Sequence, residues 1–178
     1  MRHTFMASVF ATLIVVLLRV AGGMADDKAG PADVKPLMTL YGSDSKITKR
    51  KTLRVTTAKE SDVLWNEHCG DSKIGSFNID LDFEKVMVIA IFGGEGFGEY
   101  YFTSQSITEN KDRITIRVDT HTYQFGLDAK AIRPWGILVL PRSNKKVVLE
   151  NDMRRLIADP PKWKEWTSFP AMPANPKP

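Results

Sequence analysis

Residues 83–98 read Phe83-Glu84-Lys85-Val86-Met87-Val88-Ile89-Ala90-Ile91-Phe92-Gly93-Gly94-Glu95-Gly96-Phe97-Gly98. Val86 to Phe92 is an unbroken apolar run rich in β-branched side chains. It is too short for an ordinary helix, so it predicts a central strand buried on both faces. Gly93, Gly94, Gly96 and Gly98 end that strand. Glycine tolerates positive φ, so the chain is expected to turn sharply here and re-enter the sheet at Tyr100, Tyr101 and Phe102.

Downstream of the turn, residues 101–107 and 113–119 predict a hairpin about Asn110-Lys111-Asp112. Ile114, Ile116 and Val118 alternate there with Arg113, Thr115, Arg117 and Asp119, so one face is wet. Residues 135–140 form a second dense apolar strand, opened by Pro134 and closed by Pro141. Val147, Val148 and Leu149 resemble a last strand. Asn151 and Asp152 then suit the start of a short helix through Ala158, and Asp159-Pro160 a second helical turn carrying Trp163 and Trp166. Those two rings either close the core or form an exposed anchor.

Upstream, residues 52–56 alternate as a half-buried strand. Thr57 and Glu60 then have the spacing of a capping box. The helix they open should stop at Gly70, with Leu64 and His68 on its inner face and Val63 or Trp65 closing the stripe.

The ends carry their own signals. Met1-Arg2-His3 followed by an apolar run to Leu18 predicts a signal peptide over 1–25, with Gly23 and Ala25 as the small residues before cleavage. The run is short for a bilayer-spanning helix, and Arg19 interrupts it. An uncleaved anchor is the alternative reading. No cysteine stands at the cleavage site to carry a lipid. Residues 26–36 predict a mobile leader, 37–168 the globular domain with short C-terminal helices, and 169–178 a Pro-rich tail. Cleavage would remove two arginines and no acid, leaving 23 basic against 21 acidic residues. That near-neutral balance lacks the basic footprint of a nucleic-acid binder. The lone cysteine, Cys69, excludes an internal disulfide scaffold.

Chemistry-bearing motifs are few. A dinucleotide loop needs a helix after its glycines, and a strand follows here; a kinase-type loop would set Glu95 where phosphate belongs. His68, Cys69 and His121 are the soft metal ligands, but neighbours on a helix point about 100° apart, so His68 and Cys69 cannot share an ion. There is no Gly-x-Ser-x-Gly. Asp80, Asp82 and Glu84 alternate before the central strand, in the manner of solvated acids. No catalytic, cofactor-binding or metal-binding residue is therefore assigned. The candidate protein-binding residues are Glu95, Phe97, Tyr100 and Tyr101, on the glycine turn. The rival reading is that these rings cover the sheet.

Several blocks, in order, resemble the PrcB-like family: Gly42-x-x-Ser45-x-Ile47, Leu64 through His68, Asp82 through Val88, Gly94-Glu95 to Gly98-x-Tyr100, and Pro134 through Arg142. The resemblance spans about residues 40–150. It implies a compact, strand-rich domain of an exported bacterial protein without catalytic residues, whose namesake is a lipoprotein that stabilises a subtilisin-like protease. This chain departs from that pattern in lacking a lipid-bearing cysteine and in holding Ser61 where an aromatic residue is often found.

The fold expected is α+β: a single domain with an antiparallel sheet and one main helix packed on it. The function expected is that of a secreted or periplasmic, non-enzymatic interaction or protease-associated accessory domain, with no cofactor, no nucleic acid and no stable membrane insertion. A structural or small-ligand domain without a protein client is the alternative, and a hydrolase the more remote one.

Overall fold

The computed structural model describes residues 30–70, 80–124, 126, 129–154 and 158–173. Its elements follow in the order β1 (Ala32–Asp33), β2 (Met38–Gly42), β3 (Lys51–Val55), α1 (Ala58–Cys69), β4 (Val86–Phe92), β5 (Glu99–Glu109), β6 (Arg113–Thr122), β7 (Trp135–Pro141), β8 (Lys146–Asp152) and β9 (Trp163–Phe169). The strands form two sheets, one ordered β2-β7-β4-β3 and the other β1-β5-β6-β8-β9. This is an α+β domain dominated by antiparallel pairs, with α1 packed on the smaller sheet.

β4 is buried at all seven positions because it lies in the middle of three layers. Met87, Ile89 and Ile91 face the larger sheet, where they meet Phe102, Ile116 and Leu149. Val86, Val88, Ala90 and Phe92 face the helix and meet Leu64. β7 divides likewise, Leu138 and Leu140 inward and Ile137 and Val139 toward the helix. A strand with no wet face gives a continuous apolar run rather than an alternating one.

Both edges of β4 are occupied, by β3 and β7. The glycine turn therefore cannot return the chain beside β4. It carries the chain into the second sheet, a correction to the single sheet expected. There β5 and β6 form the expected hairpin, with Asn110 Oδ1 accepting the N–H groups of Asp112 and Arg113. β8 is not the last strand and pairs parallel to β6.

The helix follows its sequence signals. Thr57 Oγ1 accepts from Glu60 N at 3.2 Å, and the Glu60 carboxylate accepts from Thr57 N at 3.1 Å and Thr56 N at 2.8 Å. The Thr56 N–H is the chief reason that the Glu60 carboxyl titrates below its usual range. Gly70, at φ 59°, ends the helix. Trp65, not Val63, packs beside Leu64; Val63 is 60% exposed.

Two end-of-chain expectations are overturned. The leader is in part a strand, since β1 pairs with β5 and Val34 N donates to Ile107 O. Asn151 and Asp152, expected to open a short helix, belong to β8, and Trp163 and Trp166, expected on a helical turn, belong to β9. Residues 155–157 lie outside those described. Asp152 Oδ1 accepts from Arg154 N and Lys162 N, which closes the loop between the strands. A register shift between Leu149 and Glu150 lets Trp166 and Phe169, three apart, both pack on the core. That spacing mimics a helix in sequence.

Arginines tie the layers together. Arg54 donates to the carbonyls of Ser143, Lys145 and Pro170, and Arg142 to those of Thr56 and Phe83. Burial, then the Arg142 charge, lowers the Arg54 pKa.

Candidate protein-binding surface

The glycine turn is fastened on both flanks. Glu95 N donates to Thr48 O, Gly96 and Ile132 exchange both backbone bonds, and Gly93 N donates to Pro134 O, each at 2.9 Å. Gly94 (φ 80°) and Gly98 (φ 88°) use the left-handed freedom of glycine. A Cβ on Gly94 would also stand 2.8 Å from Arg50 N. Glu95 is paired with Arg133 at 3.0 Å, and Glu99 with Arg50 at 2.5 Å. The turn is thus a braced platform.

Phe97 is 52% exposed and Tyr100 48% exposed. Tyr101 is half-buried between two rings, stacked on Tyr41 at 4.4 Å and 24° and on His121 at 4.2 Å and 26°. Tyr100 lies 5.4 Å from the Tyr101 ring and meets Tyr123 edge-on at 5.8 Å. The register explains how adjacent tyrosines join one cluster. Glu99 pairs with Thr122 and Tyr101 with His121, so Tyr100 is an extra residue in β5. Such a bulge re-aims a side chain that a regular strand would send to the opposite face. Phe102, next in line, is fully buried.

Of the four residues predicted from sequence, Phe97, Tyr100 and Tyr101 bring apolar surface to the turn, and Glu95 braces it. Tyr41, His121 and Tyr123 were missed. His121 follows from the hairpin register once the bulge is known. Tyr41 comes from the other sheet, and no local signal in the sequence places it there.

The remaining candidates have structural surroundings. His68 is buried among Trp65, Phe92 and Trp135, with Nδ1 2.9 Å from Ser45 Oγ. Burial holds its pKa below the ordinary value, partly opposed by Asp44. His121 Nε2 lies 3.1 Å from Thr103 Oγ1 and 3.2 Å from Asp119. Asp82 is spent on the turn into β4, where Oδ1 accepts from Glu84 N and Oδ2 pairs with Lys85 at 2.7 Å. Among the described residues no three His, Cys, Asp or Glu side chains converge as metal ligands, and no helix is long and apolar enough to cross a membrane.

No family model, curated protein or solved structure matches this chain. Several residues of the sequence blocks around Gly42, His68 and Trp135 meet in space. A Cβ on Gly42 would touch the Trp135 indole at 2.9 Å, Trp135 meets His68 edge-on at 4.5 Å, and His68 bonds Ser45. These positions build the scaffold beside α1, and the aromatic surface lies elsewhere.

Proposed function

We propose that this chain is an exported, non-enzymatic protein-interaction domain, of the PrcB-like accessory kind, that docks on a secreted or envelope protein such as a protease. The observation that carries this reading is the pair of half-exposed rings, Phe97 and Tyr100, held on a turn braced by backbone hydrogen bonds. Rigid aromatic side chains bring large contact area at low entropic cost, and anchors of this kind contribute about 2 kcal/mol or more each. The near-neutral balance of the mature segment leaves shape and apolar contact, rather than long-range charge, as the source of recognition. Export rests on the pattern over residues 1–25.

The test is a double variant, Phe97→Ala with Tyr100→Ala, immobilised beside the wild type against the extracytoplasmic proteins of the source organism. The proposal expects proteins retained by the wild type to be lost by the variant at an unchanged melting temperature. Retention undiminished in the variant, or a melting point lowered by the loss of the two rings, would sink the docking surface.

A further inference from the structure

Ser45 and His68 form a buried polar pair at the end of α1. Ser45 is fully buried, and the His68 ring is walled by Trp65, Phe92 and Trp135. Ser45 Oγ accepts from Ile47 N at 3.0 Å and lies 2.9 Å from His68 Nδ1. A bare Nδ1 takes the hydroxyl proton, so the neutral ring with its own proton on Nε2 satisfies Ser45 both as donor and as acceptor. A second proton makes Nδ1 a donor. Ser45 Oγ then faces two donors, and its O–H has no other acceptor among the described residues. A buried hydroxyl left in that state is costly, and relief moves the segment that carries Ser45.

That segment is clamped to the aromatic turn. Ser45 N donates to Arg133 O at 3.2 Å, Arg133 N to Ser43 O at 3.0 Å, and Arg133 Nε to Ser45 O. The same guanidinium reaches Glu95 Oε2 through Nη1 at 3.0 Å, and the neighbouring Ile132 exchanges backbone bonds with Gly96. Ring and turn are therefore joined by an unbroken run of hydrogen bonds, the kind of contiguous network that carries coupling. Among the described residues packed on His68, Asp44 is the carboxylate that favours a charged ring. Lys46 meets His68 O through its backbone N–H, Glu67 is paired with Lys51 at 2.6 Å, and burial raises the Cys69 thiol and keeps it neutral. From β4 and β7 come Phe92 and Trp135, which carry no charge. Burial outweighs Asp44, so the ring stays neutral to below its ordinary pKa. We infer that the proton state of His68 sets the pose of the Phe97–Tyr100 turn through Ser45 and Arg133, so that mild acid weakens docking there. As regulation this rests on the docking surface proposed above.

The first test needs no partner. The isotope-labelled chain is followed by NMR from about pH 7.5 to about pH 4.5, a span that covers the ordinary histidine range and the region below it. The amides of Gly94, Gly96 and Gly98 should shift with the midpoint of the His68 Cε1–H, and that response should vanish in His68→Gln. Arg133→Gln should leave His68 titrating while the glycine amides no longer follow; where His68→Gln does not fold, this arm decides alone. His121→Gln removes the ring stacked on Tyr101 and should keep the response. Glycine amides that stay flat through the His68 midpoint overturn the inference. So does a response that survives in His68→Gln, is unchanged in Arg133→Gln, or disappears in His121→Gln. A protein retained by the immobilised chain should then lose affinity by up to about tenfold per pH unit below the His68 midpoint, the limit for one linked proton. Retention indifferent to pH there would overturn the regulatory role. The NMR titration and the retention assay fail separately: flat amides leave the docking surface standing, and an unchanged double ring variant leaves the coupling standing.

Discussion

Replacing Gly136 by alanine tests how the two sheets meet. Gly136 lies in β7, paired with Tyr41 of β2 and Ile91 of β4, and its α-carbon faces the backbone of β5. An added Cβ would stand 2.2 Å from Phe102 O and 2.9 Å from both Phe102 C and Cβ. The first distance is more than 1 Å short of a tolerable contact. The obstacle is a backbone carbonyl, so no side chain can swing away. β7 is held by strands on both sides, and the Phe102 ring is fully buried in the inner core, so relief means parting the sheets. Overpacking costs about 1–3 kcal/mol, occasionally more, and a backbone collision between two fixed strands belongs at or above the top of that range. For a domain of this size about 3 kcal/mol is a fall in Tm of roughly 6–12 °C. Gly96→Ala is the control, because nothing lies within 4 Å of its Cβ and its φ is not positive; it should melt within a few degrees of the wild type. The assay is thermal and urea unfolding by circular dichroism. If Gly136→Ala melted with the wild type, the close approach of β5 and β7 would be wrong.

Ile89→Ala removes a fully buried side chain between the two sheets and should cost about 2–5 kcal/mol in urea melts. Thr57→Ala removes the acceptor for Glu60 N and should cost about 1 kcal/mol, with Thr57→Ser recovering most of it. Acid should weaken the fold through His68. Its folded pKa lies below the unfolded value of about 6.5, so between the two the unfolded chain binds more protons. The stabilisation is complete above pH 6.5 and is lost as pH falls toward the folded value. Urea titrations across that window should show the slope, and His68→Gln should flatten it.

Where the sequence was legible, the signal was local. The run Val86–Phe92 contains its own explanation, since a strand with neither face in water must be apolar throughout. Thr57 with Glu60 and Gly70 delimit α1, and the alternation 113–119 with its Asn110 turn makes the β5–β6 hairpin. What was not legible depends on partners far along the chain. Trp163 and Trp166 at a spacing of three fit a helix as well as a bulged strand, and only the pairing with β8 decides. The assignment of β5 to a second sheet follows from β4 having both edges filled, which needs β3 and β7 in place. For the candidate surface, the glycine turn announced Phe97 and Tyr100. The stack of Tyr41, Tyr101 and His121 needed the inter-sheet geometry.

The position of β7 has a consequence for how the chain reaches this state. It inserts between β2 and β4, and pairs such as Met38 with Val139 join residues about a hundred positions apart. Closing a loop of that length costs roughly 4 kcal/mol of chain entropy before any contact is gained. Assembly governed by such distant pairs is slow. A chain emerging from its N-terminus presents Val86–Phe92 well before residues 135–141 exist to cover its second edge. During that interval the most apolar strand of the protein is an open template for other chains. Synthesis halted short of residue 135 should therefore yield aggregate rather than a smaller folded domain.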